Sequence, residues 1–409
     1  MTTLSEALRS VASGEVEHVM LSSVARIVSG GTPKTGEASF WNGDVPWATP
    51  KDLSGLESVE IRSTPRLITE AGLRNSSAEL LPENSVLFSS RAPIGLLAIN
   101  TTPMATNQGF KSFVPDPERL DSRYLYRWLE ANRARLQNMG VGATFKEVSK
   151  AIVSRLLIPL PSLDEQRRIA AILDKADELR TKRRKALADL DTLTQSIFDS
   201  MFGDPVQNEQ GWDWHPVSDF ISDATGGKNI VGSADEEGGY RVLKISAVTS
   251  LRFNPAETKP LPAGYVPPDQ HLLRKGDLLF SRANTTELVG ATALVREAPE
   301  RVSLPDKIWR LEPDRKMPTD PRFVEALFQH KTFRAKISAL ASGSSGSMKN
   351  ISKPKLFSIH TGMPPFELQL AFGNRVETTT RLQNSGRRQL AELDTLFASL
   401  QDRAFRGEL

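Results

Sequence analysis

Two stretches of this chain carry a narrow apolar stripe on a polar background. Ile169, Ile172, Ala176, Leu179, Ala186, Leu190, Leu193 and Ile197 recur in the seven-residue rhythm of a helix packed along one seam, with Arg183 the one charged inner position. Leu173, Leu187 and Met201 widen the stripe. Pro159 and Pro161 forbid an earlier start, Ser162 stands as N-cap with Glu165 three residues on, and Phe202-Gly203-Asp204-Pro205 supplies a glycine stop. The pattern predicts a helix of about 38 residues, a rod on the order of 57 Å. A second stripe follows Pro364-Pro365: Leu368, Phe372, Val376, Leu382, Leu390, Leu393, Phe397, Leu400 and Ala404. It is looser, because Thr379 and Gly386 hold seam positions and glycine costs about 1 kcal/mol against alanine. A helix with one apolar stripe needs a partner, so the two are predicted to pair antiparallel. The alternative is that each stripe packs on its own globular domain.

The stretches between are rich in Gly, Pro, Ser, Thr, Val and Leu with short apolar runs. Ser85–Arg91 and Asp277–Arg282 each follow a turn, as a strand after a loop should. Leu120–Met139 and Pro321–Ala341 predict one short helix per half. Each half therefore reads as a mixed, strand-rich domain followed by a long helix.

The halves are copies. Ala188–Ser196 returns as Ala391–Ser399 with six of nine positions identical, 203 residues later. The same offset pairs Ser149-Lys150 with Ser352-Lys353, Pro161 with Pro364, Gln166 with Gln369, Arg184 with Arg387 and Phe202 with Phe405. A period this long means duplication of a whole domain, since solenoid repeats run at roughly 20–50 residues. The expected class is α+β: two tandem mixed α/β domains separated by a long antiparallel two-helix coiled coil, a pseudo-two-fold duplication. The expected segments are an N-terminal extension (1–17), a first domain (18–160), a central long helix (161–204), a second domain (205–362) and a last long helix (363–409).

Composition excludes several classes. At 409 residues, 39% hydrophobic and 25% charged, the chain is neither wholly disordered nor membrane-spanning by any apolar run. Residues 1–16 lack the layout of a secretory signal, so a cytoplasmic protein is expected. No cysteine is present and the five histidines are scattered singly, so neither a thiolate site nor zinc is expected. A net charge of +3 leans only slightly toward a polyanionic partner.

Familiar catalytic parts are missing. Gly227-Lys228 precedes Asn229, and Ser222 stands where a phosphate loop needs its first glycine. Pro364-Pro365-Phe366 follows Met363, which cannot accept hydrogen bonds from a target amine as the tetrad of amino-methylating enzymes does. Glu257-Thr258-Lys259 lacks the upstream Pro-Asp of a metal-dependent nuclease. What remains is polar, loop-borne and duplicated. The first half offers Gly30, Gly31, Thr32 and Lys34, then Arg91, Asn107, Gln108, Lys111, Thr144 and Lys146; the second offers Gly227, Lys228, Arg282, Asn284, Lys307, Ser347 and Lys349. Glycines let a backbone approach phosphate, Ser, Thr and Lys donate to it, and Arg, Asn and Gln read base edges bidentately. Each of these is equally an ordinary turn taken alone.

The segment Leu157–Ile169, above all its Pro161, Glu165, Gln166 and Ile169, resembles the start of the central helix in specificity subunits of type I restriction–modification systems. Leu87-Phe88-Ser89, Ala105–Gly109 and the Gly-rich segments before Val148-Ser149-Lys150 and Ile351-Ser352-Lys353 are similar too. The resemblance implies two target recognition domains, each reading one half of a split double-stranded DNA target. It implies long helices that set the spacer and bind two methyltransferase subunits, through residues such as Gln166, Ile169, Leu190, Leu193, Gln369, Leu393 and Leu396. S-adenosylmethionine, ATP and Mg are then expected on partner methyltransferase and restriction subunits, with no catalytic residue, metal or cofactor on this chain. The copies depart from each other where Glu367-Leu368-Gln369 replaces Asp164-Glu165-Gln166 and where Asp306-Lys307 stands near the place of Asn107-Gln108. The cluster Arg180, Lys182, Arg183, Arg184 and Lys185 is either a solvated helix face or a contact to phosphate or an acidic partner surface. A self-contained methylase or nuclease with unfamiliar motifs, and a coiled-coil scaffold without a DNA role, are the alternative readings.

Overall fold

Ser162 holds the start of the first long helix. Its hydroxyl accepts the Glu165 amide at 3.3 Å and its carbonyl accepts the Gln166 amide at 2.9 Å. The helix runs Leu163–Phe202 and stops at Gly203, whose φ of +70° a β-carbon would strain. The second long helix, Phe366–Arg406, begins after Pro365 and ends at Gly407, φ +77°. The computed structural model describes residues 16–91, 93–142, 146–228, 230, 239–343 and 348–409.

The chain divides into two compact units, each taking one stretch of both long helices: residues 1–184 with 388–409, and residues 185–387. In the first, a five-stranded sheet has the order Ala25–Ser29, Lys111–Pro115, Val86–Phe88, Leu97–Asn100, Glu60–Ile61. A smaller sheet joins Leu67–Ile68, Trp41–Ala48 and Ala105–Thr106. The ribbon His18–Met20 with Leu157–Pro159 brings the domain's first and last strands together, and Pro161 then turns the chain into the helix. The second unit repeats this plan. Its four-stranded sheet runs Ile221–Gly226, Ile308–Pro313, Leu278–Ser281, Thr292–Leu294, and Asp213–Pro216 pairs with His360–Met363 before the second helix.

Apolar burial ties each long helix to its domain as well as to the other helix. In the first unit Ile169, Leu173 and Ala176 share a core with Phe88, Phe113, Tyr124 and Trp128, and Phe397 and Ala404 reach the same core. In the second, Phe198 and Phe202 pack with Phe323 and Phe372 at ring separations of 5.1–6.4 Å. The pairing is antiparallel in each unit: Arg168 meets Leu409 and Arg180 meets Asp394 in one, Asp191 meets Arg387 and Phe198 meets Phe372 in the other. Both arrangements weighed from the sequence are therefore present in one molecule.

Two expectations need correction. The expected seam holds only in part: Ile169, Ala176, Phe372, Val376, Phe397 and Ala404 are buried, but Leu179, Leu193 and Leu382 are 44%, 39% and 55% exposed. Arg180 and Gln383 stand in the seam instead, where Arg180 lies 4.1 Å over the Phe397 ring and the Gln383 amide donates to Leu190 O at 2.7 Å. Polar side chains that pair across the helices are invisible to an apolar stripe. The single short helix expected in each half is two. Asn132 separates Ser122–Ala131 from Arg133–Asn138, and His330, extended at ψ 133°, separates Pro321–Gln329 from Lys331–Leu340. Buried His330 takes hydrogen bonds with Thr332 at 2.7 Å and Asp199 at 3.1 Å, which fix the break.

Candidate nucleic-acid interface

The strands converge so that four loops of each unit meet at one place. In the first unit, the chain leaving Ala25–Ser29 passes Gly30 and Gly31 directly over the loop at 106–108. A β-carbon at Gly30 would stand 1.9 Å from Asn107 O, and one at Gly31 would stand 2.3 Å from the Ala78 amide nitrogen. These glycines are thus required by chain-on-chain packing. The Gly31 amide donates to Thr106 O at 2.8 Å, and the Thr32 hydroxyl donates to the exposed Gln108 side chain. Asn107 turns its carbonyl oxygen inward to the Gly109 amide at 2.9 Å. Lys34 is exposed.

Arg91 and Lys111 converge on a residue that the sequence did not single out. Glu147 accepts Arg91 Nε at 2.9 Å and Lys111 Nζ at 3.1 Å, beside the exposed Lys146. Partial burial raises the Glu147 pKa, but the hydrogen bonds and positive charges of Lys111 and Arg91 outweigh it and hold the carboxyl below its ordinary range. Lys111, only 10% exposed at its side chain, is committed to this pair rather than open to a ligand. Thr144 and Ser347 lie outside the described residues.

The second unit builds the same place from different side chains. The Gly227 amide donates to Pro305 O at 2.9 Å, and a β-carbon there would meet Leu304 O at 1.8 Å. Thr106 and Pro305 each receive a glycine amide, and the dipeptides Asn107-Gln108 and Asp306-Lys307 each follow. Arg282 donates from Nε to Asp306 O at 3.0 Å and from its amide to Lys307 O at 3.1 Å. Asn284 pairs with Lys349 across a two-residue ribbon, and Lys349 Nζ reaches Ser338 O at 3.4 Å. Lys228 is exposed and Lys307 half-buried. Gln and Asn in one copy thus face Lys and Asp in the other, on one scaffold.

The helix residues divide into two kinds. Gln166 and Gln369 are 0% and 1% exposed, and their amides close each domain onto its helix. Gln166 accepts the Asp121 amide at 2.8 Å and donates to Arg119 O and Pro161 O, both at 2.9 Å. Gln369 accepts the Asp320 amide at 3.1 Å and donates to Pro364 O at 2.9 Å. With Ile169 3% exposed in the first core, these three are structural and present nothing to a partner. Leu190 and Leu393 are half-buried, while Leu193 and Leu396 stay exposed.

Arg127, also missed from sequence, is 2% exposed and holds Glu130, Asp174 and Asp177 at 2.8, 2.8 and 3.0 Å, pinning the first long helix to its domain. A cleft of about 740 Å³ beside it is lined by both signs of charge, including Glu60, Arg123, Lys175 and Lys182. Its cations are matched by carboxylates within the cleft, and none of the candidate loop residues lines it. Of the basic helix cluster, Arg180 and Arg184 are engaged by Asp394, and Lys182 pairs with Glu178.

Comparison with known proteins agrees with this architecture. Residues 13–189 match the type I restriction modification DNA specificity domain. The specificity subunit of the type I restriction enzyme MjaIX from Methanocaldococcus jannaschii is 35% identical over 191 residues, 46% of this chain and 44% of that protein. The EcoKI specificity subunit from Escherichia coli is 24% identical over 381 residues, 87% of this chain and 81% of that one. A type I restriction–modification S subunit from M. genitalium shares the fold, with a TM-score of 0.56 at 14% identity over 95% of this chain and 96% of that one. The chain spans less than half the length of the curated relatives it matches at 30% identity or more. No helix among the described residues is long and apolar enough to cross a membrane.

Proposed function

We propose that this chain is the sequence-recognition subunit of a type I restriction–modification complex, acting on double-stranded DNA in the cytoplasm. Each strand-rich domain reads one half of a bipartite target with its loop cluster, and the long helices set the spacer. The observation that carries this reading is the pair of equivalent loop clusters, built on the same backbone contacts yet lined by different side chains. Two copies of one scaffold with unlike tips suit two unlike half-sites. Chemistry is left to partners: two methyltransferase subunits supply S-adenosylmethionine and adenine methylation, and restriction subunits supply ATP, Mg and cleavage. Four exposed leucines support the count of two, because Leu179 and Leu193 recur after 203 residues as Leu382 and Leu396. A surface present twice fits two copies of one partner.

Exchange of residues 18–155 for those of a relative with another target tests the reading. Single-molecule mapping of methylated adenines in cells carrying the hybrid should show one half of the recognised sequence changed and the other kept. Movement of both halves defeats the domain assignment. Methyl transfer by the purified chain alone defeats the division of labour.

A further inference from the structure

Ion pairing engages several cations at the loop end of the first unit, and one that it leaves unpaired among the described residues is held against aromatic rings. Arg91 and Lys111 are tied to Glu147. Arg66 is exposed, and among the described residues no hydrogen bond or ion pair engages its guanidinium. Its Cζ sits 4.5 Å from the centroid of Trp47 and 5.8 Å from that of Trp41. The two indoles stand edge to face, 5.2 Å apart at 86°. Trp47, 2% exposed, is immobilised: its Nε1 donates to Gly31 O at 2.9 Å and its amide to Thr64 Oγ1 at 3.0 Å. The same indole that supports Arg66 is therefore bonded to the Gly30–Lys34 loop.

The second unit repeats the device from other residues. Arg282 lies 5.4 Å over the ring of Trp309, and a β-carbon at Gly226 would stand 3.0 Å from Trp309 Cδ1. Each domain sets an arginine on a tryptophan beside its first pair of glycines. In the second, Nε is occupied by Asp306 O; in the first, no hydrogen bond among the described residues engages the Arg66 guanidinium.

We propose that Arg66 is a base-reading residue of the first domain and that it selects guanine; this rests on the DNA-recognition reading above. A phosphate contact needs only positive charge, which the exposed Lys34 and Lys146 supply without fixed orientation. Contact with the immobilised Trp47 indole restrains where the guanidinium sits, and no hydrogen bond among the described residues occupies its N–H groups. That geometry matches the N7 and O6 acceptors of guanine, two in-plane sites for a planar fork.

The test is selection from a randomised duplex library by the full chain and by its R66A and R66K variants. The parent should enrich guanine at a position of one half-site. R66A should lose that preference by roughly 5- to 150-fold, with the other half-site unchanged. R66K, which keeps the charge but not the fork, should lose the same preference while total affinity stays within a few-fold. Unchanged thermal midpoints confirm that both variants fold, as an exposed site predicts. Uniform weakening on all sequences with a shallower salt dependence makes Arg66 a phosphate contact and overturns the proposal. Identical selections by parent and variants overturn it too, with the DNA-recognition reading left standing. A parent that selects no sequence overturns both.

Discussion

Arg184 donates from Nη2 to Asp394 Oδ1 at 2.9 Å, joining the two long helices within the first unit. Both residues have copies 203 positions away, and Arg387 donates to Asp191 Oδ1 at 3.1 Å within the second. The duplication preserved the cross-helix pair by exchanging the helices on which cation and anion sit. The neighbours diverged: Arg180 also reaches Asp394, at 2.7 Å, while Gln383 takes the equivalent place and meets Asp191 at 3.3 Å, and Arg252 adds a further cation to Asp191 at 2.7 Å.

Loss of these pairs should be graded by exposure. Arg184 and Asp394 are nearly half exposed, so water screens their bond, and R184A should cost no more than about 1 kcal/mol in urea unfolding. Arg180 is 17% exposed and stacked on Phe397, so R180A removes packing as well as charge. It should cost about 1–2 kcal/mol. Equal losses for the two variants would show that the aromatic contact adds nothing.

Gln166 offers a sharper distinction between folding and assembly. Its amide satisfies three backbone groups around a buried helix start, so Q166A leaves the Asp121 amide and the Arg119 and Pro161 carbonyls short of partners. Each such group costs about 1–3 kcal/mol unless water reaches it. Q166A should therefore lower urea stability by more than 2 kcal/mol, and Q369A should do the same through Asp320 and Pro364. Unchanged stability with impaired complex formation would assign the glutamine to a partner instead.

The sequence made the long helices legible because proline, serine and glycine act locally: Ser162, Pro365 and Gly203 bound them whatever lies around them. The strands at Val86–Phe88 and Leu278–Ser281 were legible for the same reason, each rising from a turn. The site was half legible. Its loops were found, but Glu147 pairs with a residue 56 positions away, and Arg66 is defined by indoles on a neighbouring strand. Nothing in the local pattern records such contacts. Leu179, Leu193 and Leu382 were placed in the seam for a related reason: a seven-residue rhythm carries no record of the polar groups, Arg180 and Gln383, that take part in the contact between the helices.

Glu147 gives a prediction with a sign. Its carboxyl is held below the ordinary glutamate value, so ionisation stabilises the folded loop at neutral pH. That contribution is present above the unfolded pKa of about 4.3 and is lost as pH falls through the lower folded value. A carboxyl-carbon NMR titration should place its midpoint below about 4.3; a midpoint above it refutes the pairing. E147Q removes the anion and leaves Arg91 and Lys111 free to meet phosphate. Non-specific duplex binding should tighten, and the slope of log K against log salt should steepen by at most about 2. An unchanged slope would mean that these cations do not face DNA.

The exposed leucines separate stability from assembly most cleanly. Each is 39–55% open to solvent, so truncation to alanine creates no closed cavity and should cost about 0.5 kcal/mol or less. An apolar side chain at the centre of an interface costs more, commonly above 1 kcal/mol per contact. Because Leu179 and Leu396 belong to the first unit and Leu193 and Leu382 to the second, L179A/L396A should weaken one partner site and L193A/L382A the other. Native mass spectrometry of chain mixed with methyltransferase subunits should then show a one-partner complex accumulating with either double variant, and free chain with the quadruple variant. Full two-partner occupancy by the quadruple variant at near-dissociation concentrations would remove the leucines from the interface. Loss of both partners from one double variant would mean that the sites are not independent copies.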